Sequence, residues 1–128
     1  MKNILFVLIV IGLGLTTTTQ PATATNHENT EQEQQCISLQ RIDQTPIIDN
    51  KTILVDLRGG GYKRIDIRNR CPGLKSEGRY TYSTSISKLC KQDALTVLSS
   101  DGSPIGTCLI EKIVSIEDAE AKALLDRR

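Results

Sequence analysis

The first feature of the hydrophobic pattern is an apolar run from Ile4 to Leu15, which follows Lys2 and precedes a polar stretch ending in Ala22-Thr23-Ala24. A basic start, an apolar run and a small-x-small site are typical of a secretory signal peptide. The run has twelve residues, whereas a membrane-spanning helix needs roughly 20. We therefore expect residues 1–24 to be a cleaved signal peptide, and the mature chain to be exported without a membrane span.

The next segment, residues 25–35, contains no aliphatic or aromatic side chain. A segment that cannot bury apolar surface does not recover the entropy cost of ordering, so we expect a flexible polar tail. The chain's only histidine, His27, lies here among glutamates without a second histidine or a thiolate. A solvated side chain is therefore a better interpretation of His27 than a metal ligand.

Regular alternation of apolar and polar residues begins in the remaining segment, 36–128, which we expect to be a single domain. The clearest alternation lies on both sides of Gly59-Gly60-Gly61 and predicts an antiparallel hairpin closed by a loop from Arg58 to Tyr62. We expect its cross-strand pairs to be Ile53 with Ile67, Val55 with Ile65, and Asp56 with Arg64. No Gly-Lys-Ser/Thr follows the glycines, so positive φ in a turn explains them better than a phosphate-binding loop does.

Further strands are expected at Ile37 to Leu39 and at Tyr80 to Tyr82, and a second hairpin joins Ala94–Leu98 to Ile105–Val114 around Asp101-Gly102. A capping box formed by Ser115 and Asp118 predicts a C-terminal helix. The sequence thus predicts a mainly β domain, with a small antiparallel sheet or partly open barrel of about six strands and a C-terminal helix.

Four cysteines lie in this domain, at positions 36, 71, 90 and 108. Export and the wide gaps between them favour two disulfides over a zinc site, which typically uses close Cys-x-x-Cys pairs. Spacing alone cannot choose among the three possible pairings. We favour a Cys71–Cys90 bond, because these residues lie at the two ends of one short segment that consists of a turn, a strand and a turn. The second bond is then Cys36–Cys108.

Short motifs around these cysteines resemble a family of small exported Gram-negative bacterial proteins known as a domain of unknown function. The motifs are Cys-Ile-Ser-Leu-x-x-Ile at 36–42, Cys-Pro-Gly-Leu at 71–74, Leu-Cys-Lys-Gln-Asp at 89–93, and the late Cys108. The resemblance implies export and a shared cysteine framework. It implies no activity and transfers no catalytic residue.

Charge and aromatic content narrow the expected partners. Without Lys2, fifteen basic and fifteen acidic residues remain, which argues against a general polyanion binder. Basic residues are nevertheless concentrated between positions 58 and 79, and tyrosine and arginine favour recognition surfaces. We therefore predict a binding face that comprises Arg58, Tyr62, Arg64, Arg68, Tyr80 and Tyr82. The expected partner is an anionic envelope component, such as a polysaccharide, or another envelope protein, and not a nucleic acid.

Residues 36–128 contain no histidine, which excludes Ser-His-Asp sites and histidine-activated thiols there. Carboxylates remain, and Asp93 is the first to test, although a turn-capping role explains it better. We expect no cofactor and no catalytic residue, and hence a periplasmic binding or envelope accessory module. Two alternatives stay open: an inhibitor that presents loop 58–62 to an envelope or foreign hydrolase, and a carboxylate-dependent hydrolase.

Overall fold

The computed structural model describes residues 32–128, so the predicted signal peptide, most of the polar tail and His27 lie outside the described residues. Within this range the chain forms nine strands and two α-helices. The strands are β1 (Gln32–Gln34), β2 (Cys36–Ser38), β3 (Ile42–Gln44), β4 (Thr52–Leu57), β5 (Tyr62–Ile67), β6 (Tyr80–Tyr82), β7 (Lys88–Cys90), β8 (Ala94–Leu98) and β9 (Pro104–Ile116). The helices are α1 (Leu74–Glu77) and α2 (Asp118–Asp126).

The predicted fold class is confirmed. One antiparallel sheet has the strand order β3-β4-β5-β9-β8-β6, and β1 also pairs with β9. A separate two-stranded sheet joins β2 and β7. Because β3 and β6 end the strand order, each has a neighbour in this sheet on one side only, and this arrangement positions the candidate site.

The first hairpin, β4–β5, is confirmed, but its predicted register is wrong by two residues. Ile53 pairs with Ile65, Leu54 with Arg64, and Asp56 with Tyr62. The loop closes earlier than expected, since the Leu57 amide already bonds to the Gly61 carbonyl at 3.1 Å, and all three loop glycines have positive φ. A two-residue shift keeps each side chain on its predicted face, because the side-chain period of a strand is two.

The second hairpin, β8–β9, is confirmed as well, with Leu95 opposite Cys108 and Thr96 opposite Thr107. Strand β9 has thirteen residues and continues beyond β8 to pair with β5, where Ile113 lies opposite Ile65. A register shift between Asp66 and Ile67 interrupts that ladder. This long strand therefore connects the two hairpins into one sheet.

The predicted flexible tail is wrong for its last residues, because Gln32–Gln34 forms β1. Glu33 lies opposite Val114 of β9, and its carboxylate accepts a hydrogen bond from Lys91 Nζ at 2.7 Å. Strand pairing uses main-chain donors and acceptors, which every residue of this polar segment has. A segment without apolar side chains can therefore be ordered by an exposed edge of a sheet.

Two hydrophobic clusters lie on opposite faces of the sheet. The inner cluster contains Ile53, Val55, Ile65, Ile67 and other buried residues, and the α2 cluster joins Leu54, Val114, Ala121 and Leu124. Alternate residues of β4 contribute to different clusters, as the period of two requires. Helix α2 thus packs on the face of the sheet that also carries Arg64, which the sequence analysis assigned to a binding face.

The predicted capping box is wrong. Helix α2 begins after Glu117, and no side chain caps its first turn. Ser115 lies in β9, where its hydroxyl oxygen accepts a hydrogen bond from Lys63 Nζ at 2.8 Å. The longer β9 strand takes up the residue that sequence reasoning assigned to the helix terminus.

Two disulfides are present, but the favoured pairing is wrong: the bonds are Cys36–Cys90 and Cys71–Cys108. Cys36 and Cys90 lie directly opposite each other in the β2–β7 ladder. Cys71 follows β5, and Cys108 lies in β9, the sheet neighbour of β5. The two bonds indicate an oxidising compartment outside the cytoplasm. Among the helices of residues 32–128, none has the length and apolar character needed to cross a membrane.

Candidate functional site

The predicted binding face is divided among three parts of the structure. Arg58 lies at the tip of the β4–β5 hairpin, where its side chain is 66% exposed and lies 3.6 Å from Asp43. Arg68 is exposed just after β5, and its amide bonds to the Leu109 carbonyl. Tyr62 packs instead against the α2 cluster. Of these three side chains, Arg58 is the one whose partner, Asp43, lines a groove together with Tyr80 and Tyr82.

Arg64 has its charge compensated by carboxylates. Its Nε donates to Asp66 Oδ1 at 2.8 Å, and its Nη1 donates to Glu120 Oε1 of α2. Lys112 Nζ also lies 3.7 Å from Asp66. Only 15% of the Arg64 side chain is exposed. Arg64 therefore joins the sheet to α2, and the predicted use of this arginine to attract an anionic partner is not supported by its geometry.

Tyr80 and Tyr82 lie on the inner side of the sheet, packed against the inner cluster. The sequence prediction grouped them in one binding face with Tyr62 of β5, but β6 pairs with β8. Their ring centroids are 6.4 Å apart. In the strand order, β9 and β8 therefore lie between the strand of the two tyrosines and β5.

A groove of about 450 Å³ lies beside these tyrosines. We call it the edge groove and define it by Ile42, Ile47, Tyr80, Tyr82 and Leu98. Ile42 belongs to β3 and both tyrosines belong to β6, so the two end strands of the sheet line the same groove. The inner face of the sheet is therefore accessible between its two edges.

The ladder between β6 and β8 determines which main-chain groups of β6 face this groove. The Leu98 amide bonds to the Arg79 carbonyl, so Arg79 faces β8, and Thr81 lies opposite Thr96. Successive residues of a strand direct their main-chain groups to opposite edges. The amides and carbonyls of Tyr80 and Tyr82 therefore point away from β8, along the open edge.

The Tyr80 hydroxyl is buried and has no hydrogen-bond partner among the described residues. Burial raises the pKa of this phenol above its usual value, and the neighbouring Tyr82 raises it further. The Thr45 side chain lowers the same pKa, but by less than burial raises it. The ordinary pKa of a tyrosine phenol, 10.0, is already far above physiological pH, and this shift moves it further away, so Tyr80 is neutral. The wall of the edge groove is accordingly aromatic and uncharged at this position.

Asp93, the carboxylate that the sequence singled out for testing, lies in a turn next to Cys90. Asp93 Oδ2 accepts a hydrogen bond from the Cys90 amide at 2.6 Å, and the Asp93 amide donates back to the Cys90 carbonyl, which confirms its role as a turn cap. Within residues 32–128, no group of three or more histidine, cysteine or acidic side chains is placed to hold a metal ion.

A surface depression of about 580 Å³ is larger than the edge groove. Asp66, Glu111, Arg70 and Lys112 line it together, so both signs of charge are mixed there. Asp66 and Lys112 already lie within ion-pair distance of each other. We therefore do not assign a ligand to this depression.

Sequence reasoning missed Lys63 as a site residue. Lys63 alternates with Ile65 and Ile67 along β5 and shares their inner face, where it is only 7% exposed. The signal in the sequence is this period of two, which places a lysine on an apolar face. Burial lowers the pKa of the Lys63 ammonium, and the positive charge of Arg41 lowers it further.

The lowered pKa makes the stability of the fold depend on alkaline pH. Between the folded-state pKa of Lys63 and its ordinary value of 10.5, the unfolded chain binds more protons, so the free energy of unfolding rises with pH in that window. Lys63→Met is expected to remove this rise. The measurement is chemical denaturation of both proteins across the alkaline range, and an unchanged pH dependence in the variant contradicts the assignment. Tyr80, with its raised pKa, has the opposite effect but contributes equally to both proteins.

The chain was compared with protein-family models, with curated proteins and with solved structures, and none of the three comparisons gives a match. The resemblance to the exported family of unknown function therefore stays a prediction.

Proposed function

We propose that the protein is an exported, non-catalytic binding module of the periplasm, which holds an extended segment of a partner protein in the edge groove. The observation that carries this proposal is that both end strands of the sheet line one groove, and β6 directs main-chain donors and acceptors along its open edge. The predicted signal peptide and the two disulfides agree with export.

Addition of a strand to an open sheet edge is a general mode of peptide recognition. Main-chain hydrogen bonds provide affinity, and alternate side chains of the peptide enter pockets that provide specificity. The main-chain groups of Tyr80 and Tyr82 supply the first component. The groove between Ile42, Ile47 and the tyrosine rings supplies an apolar pocket for the second.

The walls of the groove indicate what kind of segment fits. Its apolar lining favours an inward-facing aliphatic or aromatic side chain. Asp43 and Arg79 also line the groove and offer one charge of each sign. Among the expected partner classes, another envelope protein fits this lining better than an anionic polysaccharide.

Open edges are normally protected against aggregation, and one such protection is a short edge strand. Both β3 and β6 have three residues. Only a short stretch of a partner can therefore pair with β6, so we expect moderate affinity and a strong contribution from the inward-facing side chain.

The proposal is tested by selecting short random peptides against the oxidised mature protein. We expect the selected peptides to alternate apolar and polar residues, and to shift the amide resonances of Tyr80 and Tyr82. Tyr82→Pro deletes an outward amide without breaking the β6–β8 ladder, because proline is tolerated where the N–H of an edge strand faces solvent. It is expected to weaken peptide binding by about tenfold, which corresponds to about 1.4 kcal/mol.

Tyr82→Ala is the matched control, since it removes the same side chain and keeps the amide. Weaker binding by Tyr82→Pro than by Tyr82→Ala therefore isolates the main-chain contribution. The proposal is wrong if no peptide is enriched, if the selected peptides shift resonances elsewhere, or if the two variants bind equally well.

A further inference from the structure

A second cavity, separate from the edge groove, lies on the inner face of the sheet where β5 begins. It has a volume of about 210 Å³, and its polar lining consists of Gln34, Ser38, Arg41, Lys63 and Lys88. We call it the Lys63 cavity. Its three basic residues come from three different elements: a short 3-10 turn (Leu39–Arg41), β5 and β7.

Lys63 is the one charged residue that is buried in the described part of the chain. Its ammonium group donates to the Ser115 hydroxyl oxygen at 2.8 Å. No carboxylate of residues 32–128 lies within ion-pair distance of Lys63 Nζ. An ammonium group has three donors and a full charge, and a hydroxyl oxygen satisfies one donor without compensating the charge.

A lysine at this position lowers the stability of the fold. Burial of a charge without a counter-ion is strongly unfavourable, and an apolar residue of similar volume in place of a buried ionic group is often neutral or stabilising. The neighbouring inward positions of β5 hold isoleucines, so the strand itself does not require a lysine there. A buried, perturbed charge that lines a cavity is a recognised indicator of a functional site.

The rest of the lining adds positive charge and hydrogen-bond donors. Arg41 and Lys88 line the cavity, the Arg41 charge lowers the pKa of Lys63, and no acidic residue is part of the lining. Gln34 and Ser38 can each donate a hydrogen bond from the side chain. Three like charges around a space of this kind are mutually repulsive unless an anion lies between them.

We propose that the Lys63 cavity binds an anionic oxygen group, a phosphate, sulfate or carboxylate, through Lys63, Arg41 and Lys88. The cavity volume of about 210 Å³ is well above the roughly 10–15 Å³ that one water molecule needs on the same measure, so the cavity accommodates a small anion or the anionic end of a larger ligand. Lys63 holds the buried side of the anion, because Ser115 fixes its ammonium group. This inference does not depend on the proposed function of the edge groove.

The test uses inorganic phosphate, sulfate and acetate, each titrated at low ionic strength into the oxidised mature protein. We expect saturable shifts of the Lys63 side-chain resonance and the Gln34 and Ser38 amides with at least one anion. The preferred anion distinguishes a tetrahedral group from a carboxylate. We also expect the saturating anion to raise the measured pKa of Lys63 and the melting temperature of the protein.

Lys63→Met is expected to weaken binding of that anion by about tenfold or more, and Arg41→Gln is expected to weaken it less, because Arg41 is exposed. Lys122→Met makes the same substitution on the exposed side of α2 and is expected to leave binding unchanged. Saturable binding that is lost in Lys63→Met and retained in Lys122→Met supports the site. An absence of saturation by all three anions, or equal binding by Lys63→Met and the natural sequence, overturns it.

Discussion

Removal of the Cys71–Cys108 disulfide by the double substitution Cys71→Ala and Cys108→Ala is expected to lower the free energy of unfolding by about 4 kcal/mol. The bond joins residues 37 positions apart, and the loop-entropy model assigns roughly this value to a loop of that length. Domains of this size typically have a total stability of roughly 5–15 kcal/mol. Urea denaturation of the oxidised proteins at neutral pH measures the difference.

The matched control is the double substitution Cys36→Ala and Cys90→Ala, whose bond spans 54 positions. Its expected loss from loop entropy is similar, about 4 kcal/mol. Cys71 is fully buried in the inner cluster, whereas Cys36 and Cys90 are half-buried. We therefore expect the first variant to disturb more of the inner-cluster methyl resonances than the second, whose effect should centre on Ile37 and Leu89 beside its bond. A loss below about 1 kcal/mol in the first variant, the size of an ordinary point substitution, contradicts the structural role of this bond.

The second large effect is expected from Ile65→Ala, which should cost about 2–5 kcal/mol of folding stability. Ile65 is completely buried in the middle of β5, between Ile53 of β4 and Ile113 of β9. Neighbours on both sides belong to strands of one sheet and cannot easily move into the vacated space, so a cavity remains. The measurement is again urea denaturation, with the slope checked for two-state behaviour.

Ile86→Ala is the control, because it is the same substitution at a residue outside the core. Ile86 is 60% exposed. Its effect is expected to stay within about 0.5 kcal/mol. Equal losses in the two variants are incompatible with the inner cluster as described.

Local features of this fold could be predicted from the sequence. The β4–β5 hairpin follows from alternation on both sides of three glycines, and the β8–β9 hairpin follows from the Asp101-Gly102 turn. The register of the first hairpin could not be predicted, because a shift of two residues leaves every side chain on the same face. The detailed geometry of the glycine loop decides between the two registers.

Features that depend on strand order could not be predicted. The disulfide pairing follows from the adjacency of β5 and β9 and of β2 and β7, which cysteine spacing does not encode. Strand β1 consists of polar residues, so no apolar pattern in the sequence marks it as a strand. Its order depends on the open edge that β9 offers beyond the end of β8.

In the candidate site, too, local features could be predicted from the sequence, whereas features that depend on strand order could not. The choice of Tyr80 and Tyr82 as recognition residues rested on residue type, but their separation from Arg64 follows from the pairing of β6 with β8. Arg64 was expected to attract an anion, but two carboxylates compensate its charge instead, and one of them belongs to helix α2. Lys63 was the better cationic candidate, and its position among isoleucines of one strand face was visible in the sequence.

The account depends most on the open edge of β6, and amide hydrogen exchange of the free, oxidised protein tests that edge directly. Thr81 faces β8, so its amide should exchange slowly, whereas the amides of Tyr80 and Tyr82 should exchange much faster because they face the groove. This pattern of one protected amide between two unprotected ones is the predicted result. Equal protection of all three amides would show that the edge is already occupied, and would contradict the proposed binding mode.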